Sequence, residues 1–377
     1  MRHTVARVDL EALGRNVRAI ARLLEDGALA SGRDAPSIIG VVKANGYGHG
    51  AVPVAKVLER EGVAMLACAD VDEGITLREG GVRLPILVFG ALGVADVDGV
   101  FTHRLTPTIS SPWAGRALAA AASARGTVLG CHLKIDTGMN RLGLRHDNLR
   151  RTLPPILDAP SLRVEALYTH LATADDPESE QCVVQQQHFA VAREAAAALG
   201  LRTTFAHAAN SAALLRDERT WLDAVRPGLL LYGVVPPPLA TTLPLEPVLS
   251  LHSRIVAVKG VRDTEGVGYG QSYRADRPRS VAVVPAGYAD GVDWRLGNRG
   301  VVLVRGRRVP IVGRVSMDMI TVDVTDLDVS PGDEVVLLGR QGAERLDARE
   351  LAATIGSIPW EVLCRLGARI QREYTEI

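Results

Sequence analysis

The fold prediction starts from Ser37–Gly50, which reads SIIGVVKANGYGHG. Its first part, Ile38–Val42, is apolar and rich in Ile and Val, and glycines follow it. Such a run predicts a strand buried in a parallel sheet. Lys43 comes next, at the carboxyl end of the strand, where α/β folds place their chemistry. A partly desolvated lysine can act there as a Schiff-base nucleophile, although a lysine paired with a carboxylate is the alternative.

Apolar strands and helical patterns alternate outward from this stretch. About eight such units over roughly 230 residues predict a closed (β/α)8 barrel of the TIM type. The alternative is an open doubly wound sheet, which usually carries a GxGxxG loop after its first strand; none is present here. We expect the first helix within Val8–Leu24, with Asp9 as its N-cap, further helices at Ala51–Arg60 and Val71–Glu79, and the last barrel strand at Gly228–Tyr232.

The pattern changes at Val235–Leu245, which contains four prolines and predicts a linker. Short runs rich in Val and Ile follow, divided by turn residues, and they predict a mostly β domain. We therefore divide the chain into a barrel, residues 1–240, and a β domain, residues 241–377.

Composition narrows the function classes. Lys plus Arg and Asp plus Glu both number 43 in 377 residues, so the zero net charge gives no reason to expect nucleic acid or an anionic membrane as a partner. The four cysteines are far apart, which indicates neither a disulfide framework nor a zinc site, and no metal is expected. A charged amino terminus and apolar runs too short for a membrane span predict a cytoplasmic protein.

Two loops favour a phosphate ligand. Barrels of this class often bind phosphate after strands 7 and 8. The first of these loops contains Asn210 and Ser211 and opens a short helix, and the second contains Arg226 and Gly228. Free amides, a hydroxyl and a guanidinium would suit an anion, although a helix cap and a surface arginine are the ordinary alternatives. His170 ends another strand, where a histidine is more often structural.

Nine motifs then resemble, in order and over nearly the whole chain, those of the alanine racemases, fold-type III enzymes that use pyridoxal 5′-phosphate (PLP). They are VVKANGYGHG at Val41–Gly50, HLKIDTGMNRLG at His132–Gly143, YTHLATAD at Tyr168–Asp175, HAANSAA at His207–Ala213, RPGLLLYG at Arg226–Gly233, GYG at Gly268–Gly270, GYADG at Gly287–Gly291, GRVSMD at Gly313–Asp318 and IPWEVLCRLGARI at Ile358–Ile370. One glycine loop alone would be weak, but nine ordered motifs are specific.

The resemblance implies a PLP-bearing barrel, a β domain and a head-to-tail homodimer with shared active sites. Lys43 would hold PLP covalently. Arg141 would position the substrate carboxylate, and Lys134 matches a lysine that some members carry as a carbamate. The residues implied to hold the phosphate or flank the ring are Tyr47, His170, Asn210, Ser211, Gly228, Leu229 and Trp360.

Arg226 would face the pyridine nitrogen. An arginine cannot protonate that nitrogen, since its own pKa is above about 12, and the ring is then a weaker electron sink, which disfavours transamination. Racemisation needs two bases on opposite faces of the α-carbon. Lys43 would serve one face, and Tyr269 of the partner subunit the other. Met317 and Asp318 of the partner would line the substrate site.

The sequence therefore predicts a PLP-dependent alanine racemase that supplies D-alanine for peptidoglycan. Trp360 departs from the tyrosine usual in the family, so a serine or broad-specificity racemase is the alternative. A same-fold decarboxylase would require a carboxylate where Arg226 stands. A protein that carries PLP without catalysing a reaction would not require the second domain, so the presence of that domain argues against this alternative.

Overall fold

A computed structural model describes residues 4–91, 93, 96–203 and 205–375. These residues form a closed parallel barrel with surrounding helices and then a mostly β domain, which confirms the predicted fold class. In chain order the described strands are β1 (Val5–Val8), β2 (Ser37–Val41), β3 (Met65–Cys68), β4 (Ile86–Val88), β5 (Thr106–Ile109), β6 (Leu129–Asp136), β7 (Leu144–Arg145), β8 (Leu162–Tyr168), β9 (Ala206–Asn210), β10 (Ala224–Arg226), β11 (Leu249–Arg254), β12 (Ala257–Val261), β13 (Gly266–Val267), β14 (Tyr273–Arg274), β15 (Arg279–Val284), β16 (Val301–Val304), β17 (Arg307–Pro310), β18 (Ile320–Asp323), β19 (Glu334–Gln341), β20 (Glu344–Leu346) and β21 (Gln371–Tyr374).

The right-handed helices lie between these strands. They are α1 (Leu10–Ser31), α2 (Ala51–Arg60), α3 (Val71–Glu79), α4 (Val97–Thr102), α5 (Pro112–Ala124), α6 (Leu149–Thr152), α7 (Pro154–Leu157), α8 (Gln181–Ala198), α9 (Ser211–Arg216), α10 (Ala348–Ile355) and α11 (Pro359–Cys364). Among the described residues, no helix combines the length and the apolar character that crossing a bilayer would require.

The barrel closes through parallel pairing. Its strand order is β2-β3-β4-β5-β6-β8-β9-β10, and β10 returns to pair with β2 through Ala224 opposite Ser37 and Val225 opposite Ile38. Residues 38–41 of β2 are all buried, so this strand is covered on both faces, as its apolar run predicts. Lys43 therefore lies at the carboxyl-terminal rim of the barrel.

Two predicted elements have different bounds. The last barrel strand is Ala224–Arg226, and the predicted strand at Gly228–Tyr232 is wrong, because that segment folds into turns in which Leu231 N–H donates to the Gly228 carbonyl at 2.9 Å. The apolar run reports burial, and burial does not require a strand. Asp9 is confirmed as the N-cap of the first helix, since its carboxylate accepts the Ala12 N–H, and the helix runs from Leu10 past Leu24 to Ser31.

The amino-terminal strand belongs to the sheet of the second domain. The main sheet there has the order β17-β16-β19-β11-β1-β21, with β20 on β19. β1 pairs antiparallel with β11 and parallel with β21, an association that the sequence did not predict. The strands β12, β15 and β18 form a smaller sheet, and β13 and β14 a hairpin. The division at residues 240 and 241 stays a prediction.

One buried apolar cluster joins the two domains. Leu13 of α1, Leu66 of β3 and Leu338 of β19 all belong to it, and each is buried. Because protein interiors are close-packed, the position of one element fixes the positions of the elements that pack against it. The second domain can therefore place its helix α11 against the rim of the barrel with fixed geometry.

Candidate active site

A cavity of about 440 Å³ opens at the carboxyl ends of the barrel strands. Eleven of the fourteen predicted site residues line it, and the second domain contributes one of them from α11. The eleven are Lys43, Tyr47, Lys134, Arg141, His170, Asn210, Ser211, Arg226, Gly228, Leu229 and Trp360. The three that the lining does not include are Tyr269, Met317 and Asp318.

Lys43 lies at the start of a single left-handed turn, Lys43–Tyr47, that follows β2. Its pKa is lowered, first because surrounding protein shields the amine from water and then because the Arg141 guanidinium repels its charge. Among the described residues, none of the carboxylates forms an ion pair with Lys43. The environment therefore favours a nucleophilic amine over the alternative of a paired lysine.

Tyr47, Ser211 and Gly228 form one corner of the cavity. The Ser211 hydroxyl accepts the Gly228 N–H at 2.9 Å, and the Tyr47 ring stacks on the buried Tyr232 ring with centroids 4.9 Å apart. A Cβ at position 228 would lie 2.3 Å from Tyr47 Oη, so only glycine leaves room there. Burial raises the pKa of Tyr47, which keeps its hydroxyl a neutral donor. Since the Gly228 N–H is already engaged, the donors in this corner are the hydroxyls of Tyr47 and Ser211, and hydroxyl donors beside the cavity fit a phosphate group.

Asn210 has a structural task in the same corner. Its side-chain oxygen accepts the N–H groups of Ala212 at 3.1 Å and Ala213 at 3.0 Å and thereby caps α9. The cap fixes Ser211 at the first position of that helix. The predicted contact of Asn210 with the phosphate stays a prediction.

We expect Gly228→Ala to weaken PLP affinity at least about tenfold, or about 1.4 kcal/mol, because the new methyl group displaces Tyr47 from the phosphate corner. Titration of the cofactor-free protein with PLP measures this. Gly260→Ala is the matched control, since a Cβ at Gly260 meets no described atom within 4 Å. Equal affinities in both variants would contradict the assignment of this corner to phosphate.

Arg226 is a buried cation held by neutral acceptors. Its guanidinium donates to the Thr169 carbonyl at 2.7 Å, to the Ala208 carbonyl at 2.8 Å and to His207 Nδ1 at 2.8 Å. Burial lowers its pKa to about 10, so it remains charged at neutral pH. His170 Nδ1 lies 3.4 Å away, and burial followed by the Arg226 charge lowers the pKa of His170 well below its usual value. The guanidinium is thus held in a fixed position, carries a positive charge and lines the cavity.

A histidine chain behind Arg226 extends this arrangement. Because His207 Nδ1 accepts from Arg226, its Nε2 carries the proton, and Nε2 lies 3.0 Å from His132 Nδ1. Burial lowers the pKa of both imidazoles, that of His132 to about 4. The Tyr168 ring stacks on His207 at 4.8 Å. These residues stand in motifs of the sequence, but their role could not be predicted, since the contacts join different strands.

Lys134 adds a further cation to the cavity. Burial and then Arg141 and Arg226 lower its pKa to about 8, so part of the amine is neutral near pH 7. A carbamate at Lys134 would replace a charge that repels Arg141 with one that attracts it. Carbamylation stays a prediction, which nuclear magnetic resonance after incubation with labelled bicarbonate would detect as a signal absent from Lys134→Arg.

Several lining residues were not predicted. Phe89, Met139 and Leu171 are apolar, and periodicity alone cannot separate an apolar wall of a cavity from a core residue. Tyr168, Leu171 and Asp175 lie inside the motif Tyr168–Asp175, and Met139 lies inside the motif His132–Gly143, so for these four residues the motifs were the available signal.

Tyr269, Met317 and Asp318 lie together on the second domain. Tyr269 is on the glycine-rich loop of residues 266–273, and Met317 and Asp318 are both on that of residues 313–319. The loop 313–319 lies against the first loop and against a third, residues 287–293: Tyr288 N–H donates to the Ser316 carbonyl at 3.0 Å, and a Cβ at Gly270 would lie 3.2 Å from the Arg314 guanidinium carbon. We call the exposed apolar side chains of this region the loop surface; they are Tyr269, Tyr288, Trp294, Met317 and Met319. Exposed apolar groups in such number indicate an interaction site.

Arg369 braces this surface from behind. Its guanidinium donates to both oxygens of the fully buried Asp290, at 2.8 and 3.0 Å, and pairs with Asp318 at 2.8 Å. It also donates to the Met317 carbonyl at 3.2 Å. Contacts within the chain therefore hold the loops that carry Tyr288 and Met317 in one arrangement.

Comparison with known proteins identifies relatives of the whole chain. A family model described as "Alanine racemase, N-terminal domain" matches residues 8–236, and one described as "Alanine racemase, C-terminal domain" matches residues 248–374. An alanine racemase of Symbiobacterium thermophilum is 40% identical over 376 residues, which cover 99% of this chain and 97% of that protein.

Two solved structures have closely similar folds. Alanine racemase from Bacillus anthracis with bound L-Ala-P superposes with a TM-score of 0.90 at 34% identity, and the match covers 100% of this chain and 96% of that chain. Alanine racemase from Bartonella henselae with covalently bound pyridoxal phosphate has a TM-score of 0.87 at 28% identity, with 100% of both chains covered.

Proposed function

The chain belongs to the alanine racemase family, and on that premise we propose that it interconverts L- and D-alanine with PLP through two bases, Lys43 and Tyr269. The observation that carries this proposal is the cavity itself, in which a lysine of lowered pKa faces a phosphate corner and a buried arginine. The alanine racemases to which this chain is similar in sequence and in structure support this activity. A racemase is an isomerase.

The residues present fit PLP. Tyr47, Ser211 and Gly228 would hold the phosphate, Lys43 would anchor the aldehyde carbon, and Arg226 would face the pyridine nitrogen. When bound, PLP supplies an electron-withdrawing ring that makes the α-proton of the amino acid acidic. Because Arg226 is fixed by carbonyl and imidazole acceptors and keeps its protons, it would not protonate that nitrogen and would limit how much charge the ring accepts.

The chain's own residues would move the proton. The Lys43 amine, whose lowered pKa favours its neutral form, would take or deliver the α-proton on one face. Arg141 would hold the substrate carboxylate by a charge-assisted contact and thereby orient the α-carbon. His170, neutral and against Arg226, would pack beside the ring.

The opposite base would come from a second copy of the chain. Tyr269 does not line the described cavity, and its side chain is 73% exposed. We propose a head-to-tail homodimer in which the loop surface of one subunit covers the cavity of its partner. Tyr269 would then serve the second face, and Met317 and Asp318 would line the substrate site. Tyr269 would require a cationic neighbour to act as a base near neutral pH.

Trp360 supports a second candidate, a racemase for serine or a broader set of amino acids. The indole lies in the cavity wall and offers an N–H but no hydroxyl. A substrate panel with saturating PLP decides between the two. We expect kcat/KM for alanine to exceed that for serine at least about 100-fold, the discrimination that pocket size alone can supply. Comparable values for the two amino acids would establish the broader activity.

We further propose that the D-alanine formed serves peptidoglycan and that the enzyme acts in the cytoplasm. The general role of alanine racemases supports the first part. The second stays a prediction.

A further inference from the structure

The turn that carries Lys43 has an unusual backbone. Ala44, Asn45 and Gly46 have φ, ψ values of 53°, 49°; 54°, 48°; and 62°, 46°, and Tyr47 has φ of 52°. Consecutive residues thus take the left-handed region, which sterically disfavours every residue except glycine. Such a conformation persists only where neighbouring groups hold it.

Glu73 holds the part of the turn next to the lysine. One of its carboxylate oxygens accepts the Ala44 N–H at 2.6 Å, and the other accepts the Ala69 N–H at 2.8 Å. The Ala44 nitrogen belongs to the peptide group that joins it to Lys43. A single carboxylate therefore links the chain beyond β2 to the chain beyond β3 through charge-assisted hydrogen bonds.

Glu73 is itself fixed in place. It lies in the first turn of α3, and its own N–H donates to the Asp70 carboxylate at 2.9 Å, which caps that helix. Its carboxylate is thus presented by a rigid element. Glu73 was not predicted from the sequence, because its contact with the lysine-bearing turn joins residues that are 29 positions apart.

Other side chains hold the far end of the turn. The Asn45 side-chain oxygen accepts the Ala51 N–H at 2.8 Å, and Arg372 donates to the Gly48 carbonyl at 2.7 Å. These contacts do not involve the peptide group beside Lys43. That group is held by Glu73 and by the hydrogen bonds of the turn itself.

We propose that Glu73 is a positioning residue for Lys43, which fixes the left-handed turn so that the amine stands in the cavity. The inference rests on the proposed function in that Lys43 is taken as the PLP anchor. A charge effect of Glu73 on Lys43 also exists, since the carboxylate raises the pKa of the amine against the lowering by burial.

The test measures the rate at which cofactor-free protein captures PLP at Lys43, trapped by borohydride and located by peptide mass spectrometry. We expect Glu73→Gln and Glu73→Ala to slow capture at least about tenfold, the scale on which mispositioning of a reacting group acts. A role through charge alone predicts the opposite sign, because removing the carboxylate increases the neutral fraction of the amine. Faster or unchanged capture overturns the proposal.

The strained residue provides a second variant. Glycine adopts the left-handed conformation without steric strain, so Ala44→Gly should reduce the effect of Glu73→Ala to about threefold or less in a double-mutant cycle. An undiminished loss overturns the proposal. Glu79→Ala, at the exposed end of the same helix, is the matched control and should capture PLP at the wild-type rate. Thermal unfolding confirms that each variant is folded.

Turnover of alanine separates this inference from the proposed function. We expect Glu73→Gln to lower kcat at least about tenfold, with KM changed less than about threefold. If the wild-type protein captures PLP but does not racemise alanine, the proposed function fails while the capture rates still decide the role of Glu73. If the wild-type protein racemises alanine and the variants match it in both capture and kcat, the role of Glu73 fails alone.

Discussion

Lys43→Ala should lower kcat/KM for alanine racemisation at least about 10⁴-fold in both directions, because it removes the proposed covalent anchor of PLP and one of the two proposed bases together. The lowered pKa of Lys43 and its place in the cavity lining are the structural reasons for choosing this residue. A coupled assay in each direction measures the loss, and the visible absorption of the purified protein reports the cofactor.

Lys56→Ala is the matched control for this variant. Lys56 is exposed on α2, a helix that follows the same turn, and it does not line the cavity. Its replacement should leave activity and absorption unchanged. A Lys43→Ala protein that still held PLP covalently at another lysine, or that turned over alanine within about tenfold of the wild-type rate, would contradict the assignment.

Local patterns in the sequence were sufficient for most of the barrel. The helices Ala51–Arg60 and Val71–Glu79 have the predicted bounds, since apolar spacing and the Asp70 cap are both written within a few neighbouring residues. The strand Ser37–Val41 was predicted from its apolar run in the same way. These features depend on near neighbours, which is why a single sequence reveals them.

Features that depend on distant contacts could not be predicted. β1 is four residues long, and only its pairing with β11 and β21 makes it a strand. The left-handed conformation of Ala44 is of the same kind, because a carboxylate from another element holds it. By its own steric preference an alanine would avoid the left-handed region of the backbone.

The same distinction between local patterns and distant contacts applies to the active site. The residue types were accessible from the motifs, and the structure brings Lys43, Arg226 and Gly228 to one cavity. The hydrogen-bond partners that fix Arg226 lie on β9 and directly after the end of β8, and no spacing in the sequence indicates them. For the same reason the sequence suggested a place for Tyr269 only through resemblance.

Mixing two impaired variants should restore activity if the active site is shared between subunits. Tyr269→Phe alone should lower racemisation by about 10²–10⁴-fold, because it removes one proposed base while keeping the ring. In a hybrid dimer of Lys43→Ala and Tyr269→Phe, one site carries both substitutions and the other carries neither. With random pairing, half of the dimers are hybrids with one intact site each, so about one quarter of wild-type activity should return.

The geometry of the described chain is what makes this recovery a sharp test. Tyr269 is exposed and absent from the cavity lining of the described residues, so a catalytic role requires a second copy to bring it there. Tyr273→Phe is the matched control, since this nearby tyrosine packs against a small apolar cluster and should retain activity. Activity that stays at the sum of the two separate variants would place both bases in one subunit. Full activity of Tyr269→Phe by itself would exclude this tyrosine as the second base.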